Sequence, residues 1–152
     1  MSESFITIFS AMLPIGELRF AIPFALSNYD MHWGLVLVLA IVGNTIPVPV
    51  ILFCLTKVGR RIEASGSILG KVFRWRTNSL MLKLNSHQRY PLVTIFLLVA
   101  IPLPFTGAWT GSLAVWLSGI SLTKGILSIF LGIITAGALV TFLYLAGSNL
   151  LL

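Results

Sequence analysis

The chain has 152 residues, 57% hydrophobic and 9% charged, with 10 Lys and Arg against 4 Asp and Glu, a formal net charge of +6 and a mean hydropathy of +1.01. That is the composition of a membrane protein, and it excludes an ordinary soluble domain. The single cysteine, Cys54, excludes an internal disulfide and a Cys-based metal cluster, and no Ser/His/Asp, metal-ligand or nucleotide-binding constellation points to an enzyme, a metal or a cofactor.

The chain begins Ser2-Glu3-Ser4 after Met1, with no basic residue and no small-residue cleavage site at the usual distance, so it does not read as a secretory signal peptide. A short apolar arm follows, Phe5 to Leu13, then a Pro/Gly break from Pro14 to Gly16, then a second arm from Arg19 to Ser27. Each arm of ~10 residues reaches about 15 Å, half of the ~30 Å hydrocarbon thickness. After a polar turn comes a charge-free run from Trp33 to Thr56, longer than the ~20 residues a crossing helix needs. Within it, "GNTIPVPV" places Asn44, Pro47 and Pro49 near the middle, where prolines free carbonyls. The interruption reads either as a kink lining a pathway, with Asn44 as a substrate contact, or as a tolerated one.

Eight of the basic residues fall between Lys57 and Arg89, against one acid, Glu63. Basic loops remain in the cytoplasm, so residues 58–90 read as a cytoplasmic linker rather than as a nucleic-acid surface, for which no recognition motif is present. Inside it, Ile68, Leu69, Val72 and Phe73 recur at helical spacing opposite Lys71, Arg74 and Asn78, with Trp75 near the boundary. That pattern fits a helix lying in the headgroup region, or a plain solvated connector. His32 and His87 lie far apart, lack metal-ligand partners, and read as interfacial polar residues, as do Asp30 and Lys124 at the starts of the long spans.

The second half repeats the order: an arm from Leu92 to Ile101, a break at "PLPFTG" with Pro102, Pro104 and Gly107, an arm from Gly111 to Leu117, and a long span from Gly125 onward. An offset of 91 superimposes Gly16 on Gly107 and Gly34 on Gly125, the differences 107 − 16 and 125 − 34. Gly132 and Ala136 in the last span make a small-xxx-small face suited to internal packing or to a homodimer.

The expected fold is an all-α integral membrane protein of two inverted repeats, residues 1–57 and 91–152, each a re-entrant helical hairpin plus a long transmembrane helix, joined by the basic amphipathic linker. Counting crossings with the linker inside puts both termini outside. The competing topology makes Phe5 to Asn28 and Pro91 to Ser118 full kinked helices, with both termini cytoplasmic.

Glu17 and Arg19 sit beside the first break, and a charge at membrane depth costs at least ~2.5 to 3.5 kcal/mol. They read either as an ion pair that pins the hairpin tip or as transport machinery. In a partly hydrated cavity burial favours the neutral carboxyl, so Glu17 becomes a candidate for proton coupling, with Arg19 as its counter-charge or as a fork for an anionic group. Thr106, Trp109 and Thr110 would approach from the second hairpin as substrate contacts.

"PIGELRFAIPFAL" and "IPLPFTGAWTGSLAVWLSGI" resemble the small multidrug export protein family, whose short members carry P-x-G-E-x-R-x-x-I-P early and P-x-P-x-T-G-A-W-x-G late. The layout is also similar to the DedA superfamily. That likeness implies re-entrant hairpins, an acid (Glu17) and an arginine (Arg19) at the tip, proton dependence and movement of lipids, polyprenyl-phosphate carriers among them. Thr110 departs from it, standing where such proteins tend to have another arginine. The resemblances imply a multi-pass transporter of the cell membrane that exports small or amphiphilic molecules, with membrane lipid and the substrate as partners. A lipid flippase or scramblase is the alternative, and a membrane scaffold or assembly factor is the alternative of another class.

Overall fold

The computed structural model describes residues 2–64, 66–85, 90–103 and 106–150. Pro104, His87 and Arg89 lie outside them. Eight helices, and no strand among the described residues, follow in the order α1 (Ser2–Met12), α2 (Glu17–Asn28), α3 (Trp33–Thr45), α4 (Pro47–Ala64), α5 (Ile68–Asn85), α6 (Pro91–Ala100), α7 (Ala108–Ser118) and α8 (Leu122–Leu150).

The breaks stand where Pro and Gly put them. Pro14 and Gly16 separate α1 from α2, and Pro102 and Gly107 separate α6 from α7. Both second helices start directly after a glycine with positive φ, Gly16 at 92° and Gly107 at 133°, a backbone region that L side chains avoid. Their first residues, Glu17 and Ala108, are 108 − 17 = 91 apart, the offset that aligned the halves. The order of short helix, break, short helix and long apolar helix therefore occurs twice.

α3 and α4 are nearly continuous. Only Ile46 stands between them, its N–H still bonded to the Val42 carbonyl at 3.1 Å, and Pro47 takes the first position of α4, where no N–H is needed. α4 does not stop at residue 57 but runs on to Ala64, with Arg61 in its last turn, where a cation suits the negative end of a helix. Two stretches of 27 residues, Trp33–Gly59 and Leu122–Ser148, are long and apolar enough to cross a membrane.

α2 and α7 lie at the centre. α2 packs on α1, α3 and α8, while α7 packs on α4, α5, α6 and α8. The shared core joins Leu18 and Ile22 of α2 to Val36, Leu52, Ile95, Val99, Val115, Ile129 and Ile133. Gly132 lets α8 approach α6 closely, because a Cβ there would come within 2.7 Å of the Val99 Cβ and 3.1 Å of the Phe96 carbonyl. Gly132 and the buried Ala136 thus serve contacts within the chain. Outward, Phe5 (69% exposed), Phe53 (64%) and Phe142 (68%) head a long series of uncovered apolar side chains on α1, α3, α4, α6 and α8. A water-soluble monomer rarely shows such a surface, whereas a membrane protein offers it to lipid.

Candidate functional site

The two breaks meet and complete each other's backbone. A helix leaves its first N–H groups and its last carbonyls without partners in its own turns. At the start of α7, Gly107 has no side chain to cap them. Glu17 supplies the cap from the other half: its carboxylate accepts from the backbone N–H of Ala108 at 3.2 Å and of Trp109 at 3.3 Å. The same carboxylate takes a longer bond of 3.5 Å from the Asn44 amide. Glu17 has φ 51°, rare outside glycine, so the backbone itself is turned to present this side chain. The carboxylate fills the space a Cβ at Gly107 would occupy. Glycine is thus required there twice over, by conformation and by contact.

The carbonyl ends are served in the same crossed fashion. The Trp109 indole donates to the Met12 carbonyl at the end of α1 at 3.2 Å. Arg19 donates to the carbonyls of Leu103 and of Ile101 (3.3 Å) and to the Thr106 hydroxyl (3.0 Å), all in the second break. Thr106 in turn lies 2.8 Å from the Leu103 carbonyl, to which it donates. Glu17 and Arg19 therefore direct their hydrogen bonds to the opposite break and to Asn44, not to each other. The structure brings Glu17, Arg19, Asn44, Thr106 and Trp109 together in one junction, with Gly16, Gly107 and Pro102 shaping its turns. The Asn44 side chain is 1% exposed, and its carbonyl oxygen has no hydrogen-bond partner there.

Thr110 belongs elsewhere. One residue beyond the junction, its hydroxyl accepts from Arg76 of α5 at 3.0 Å and faces a cavity of about 890 Å³ between α4, α5 and α7. Pro14 and Trp109 line it next to the junction, Arg76 reaches Thr110 one residue further on, and Ile51, Leu55, Arg61, Phe73, Trp75 and Leu113 line the rest. The volume falls within the ~300–1,000 Å³ of pockets that take drug-sized ligands.

The contribution of α5 was not visible from the sequence. The pattern suggested an apolar face of Ile68, Leu69, Val72 and Phe73. In the fold, Ile68 is 79% exposed, Val72 and Trp75 are exposed along the cavity, Leu69's side chain lies outside the described residues, and the inner stripe is Gly70, Phe73, Thr77 and Leu80. The Phe73 ring lies 6.0 Å from that of Trp116 on α7. The spacing of Gly70, Phe73, Thr77 and Leu80 by three and four residues carried that signal, hidden because two of the four are not apolar. His32 has a local role, accepting from the Gly34 N–H at the start of α3 at 3.2 Å.

Two apolar spans, a lipid-suited surface and a crossed junction between two helix breaks define an all-helical membrane protein with a cleft beside the junction. The model of the family described as "Putative small multi-drug export protein" matches residues 17–139, from the start of α2 through the second break and into α8, and the chain belongs to that family. No curated protein and no solved structure matches it.

Proposed function

We propose that the protein is a multi-pass transporter of the cell membrane, not an enzyme, that exports small or amphiphilic molecules by proton-coupled alternating access. In this reading α1–α2 and α6–α7 are re-entrant hairpins, and the two halves are inverted repeats whose tips meet at membrane depth. The observation that carries it is the junction. Broken backbone survives in hydrocarbon only where its polar groups find partners in protein or water, and here each break finds them in the other. The recurrence of the element order at an offset of 91 supports the repeat, and the basic linker supports a cytoplasmic position for α5, with both termini outside. The substrate would enter the cavity lined by Trp109 and Thr110, next to the junction.

Glu17 couples the two in this scheme. Its ionised form makes charge-assisted bonds to the N-terminus of α7, and proton uptake exchanges them for weaker neutral ones, which loosens α7.

Proteoliposomes with an imposed pH gradient and a fluorescent amphiphile test this, comparing wild type with Glu17→Gln. Gradient-driven flux is expected in the wild type and lost in the variant. Equal flux in both removes the coupling role. Movement of labelled lipid without solute flux would favour a flippase, and no flux of either would favour a scaffold. Labelling of single cysteines at residue 4 and in the linker should occur from opposite sides, and labelling from one side would support four full crossings.

A further inference from the structure

One acceptor at the junction has no donor. The Asn44 amide points its Nδ2 at the Glu17 carboxylate, 3.5 Å from Oε2, and leaves its Oδ1 buried without a partner. A buried acceptor in that condition costs about 1 to 3 kcal/mol. Among the described residues the other such side-chain atom is Thr141 Oγ1, one turn from Tyr144, which meets Ser27 at the far end of α2. The other acceptors around Glu17 already receive donors. The Met12 carbonyl receives the Trp109 indole, the Gly107 carbonyl the Gly111 N–H at 2.7 Å, and the Gly16 carbonyl the N–H groups of Arg19 and Phe20. The carbonyls of Ile101 and Leu103 receive Arg19 and the Thr106 hydroxyl.

We infer that Asn44 is the positioning residue for proton uptake: when Glu17 Oε2 takes a proton, the Asn44 amide makes a half-turn and its Oδ1 accepts from the new O–H. The inference rests on the proton-coupling reading above and adds the partner that the proton needs. An ionised carboxylate only accepts, which suits the Ala108 and Trp109 N–H groups, but a protonated one also donates, and those N–H groups cannot accept. The torsion that turns an Asn amide is broad and roughly two-fold, so the exchange of Nδ2 for Oδ1 meets little intrinsic resistance. The 3.5 Å gap then closes toward the ~2.7–2.8 Å of an O–H···O bond. Each protonation state leaves one amide atom of Asn44 without a partner, Oδ1 before and Nδ2 after, so the turn adds no new orphan. Arg19 is the charge beside Glu17. α3, α6 and α7 carry no titratable side chain, α1 carries only Glu3 at its exposed start, α8 carries Lys124 in its exposed first turn and the Tyr144 bonded to Ser27, and the charges of α4 begin at Lys57, ten residues past Pro47.

The test uses the full chain in phosphatidylcholine membranes. Infrared absorption of the Glu17 carboxyl, assigned by its loss in Glu17→Gln, reads the fraction protonated at each pH. In the wild type, solid-state NMR then measures the dipolar coupling between isotope-labelled asparagine Nδ2 and glutamate Cδ, the Glu17 share again being the part lost in Glu17→Gln. That coupling is expected while Glu17 is ionised and should fall as the proton binds, with the same midpoint, because Nδ2 swings away. Asn44→Leu removes both amide atoms, and the long Nδ2 bond is the lesser loss, so proton affinity at Glu17 should weaken about tenfold. A role for Asn44 as donor to the carboxylate only predicts the opposite sign, tighter proton binding in Asn44→Leu. That result, an unchanged proton affinity in Asn44→Leu, or a coupling that persists when Glu17 is protonated overturns the inference and leaves the proton-coupling reading standing. The NMR measurement needs no substitution at Asn44 and decides the matter even where Asn44→Leu does not fold. No protonation of Glu17 over the whole pH range in which the protein stays monodisperse would remove both readings.

Discussion

Two arginine–threonine bonds of 3.0 Å, Arg19 to Thr106 and Arg76 to Thr110, end on threonines four residues apart. They do different work. Arg19 continues from its threonine to the carbonyls of Ile101 and Leu103, so its donors finish a broken backbone. Arg76 stands at the wall of a cavity large enough for a ligand. Charge in a membrane protein is therefore not a sign of transport chemistry by itself. Where it meets orphaned amides and carbonyls it completes the fold, and where it stands at a cavity wall it joins one helix to another.

Substitutions can break that contrast, and the largest effect is expected at Gly107. Gly107→Ala puts a Cβ into the Glu17 carboxylate at a positive φ, and should destabilise the protein by about 3 kcal/mol or more, read as loss of monodisperse protein in size-exclusion chromatography. Glu17→Ala leaves the Ala108 and Trp109 amides uncapped and should cost about 2 to 4 kcal/mol in thermal unfolding, with Glu17→Gln costing less because an acceptor oxygen remains. Arg19→Gln should cost about 1.5 to 3 kcal/mol by the same measurement, since its partners are backbone carbonyls inside a break. Thr110→Val sharpens the comparison with a smaller loss of about 1 kcal/mol. Arg61→Gln, on the exposed end of α4, should lie within about 0.5 kcal/mol of wild type. A melting temperature lowered as much by Arg61→Gln as by Arg19→Gln would erase the distinction between fold-completing and cavity-facing charge.

Much of the fold could be read from the sequence, for physical reasons that differ by element. The prolines and glycines at 14, 16, 102 and 107 locate both breaks because each break combines a proline with a glycine that takes positive φ, and the apolar runs on either side become α1, α2, α6 and α7. Glu17 and Arg19 stand out because charge is rare in such a run. Their partners do not, since Glu17 bonds to residues 91 and 92 positions away, and spacing along one helix carries no information about a contact made across the bundle. In the sequence Arg76 reads as part of a basic linker, because positive charge beside apolar spans reports orientation first. Only the placement of α5 against α7 makes it part of a cavity wall.

The crossed capping has a consequence for how the protein is made. Ribosomes deliver Glu17 long before Ala108 and Trp109, so throughout synthesis of the intervening segment the carboxylate must be held by water, by the insertion machinery or by a makeshift neighbour. An amino-terminal half expressed alone would keep that debt and be an early target for membrane proteolysis. Supplying the carboxy-terminal half from a second gene should rescue it, because the missing donors need only arrive, not be covalently attached.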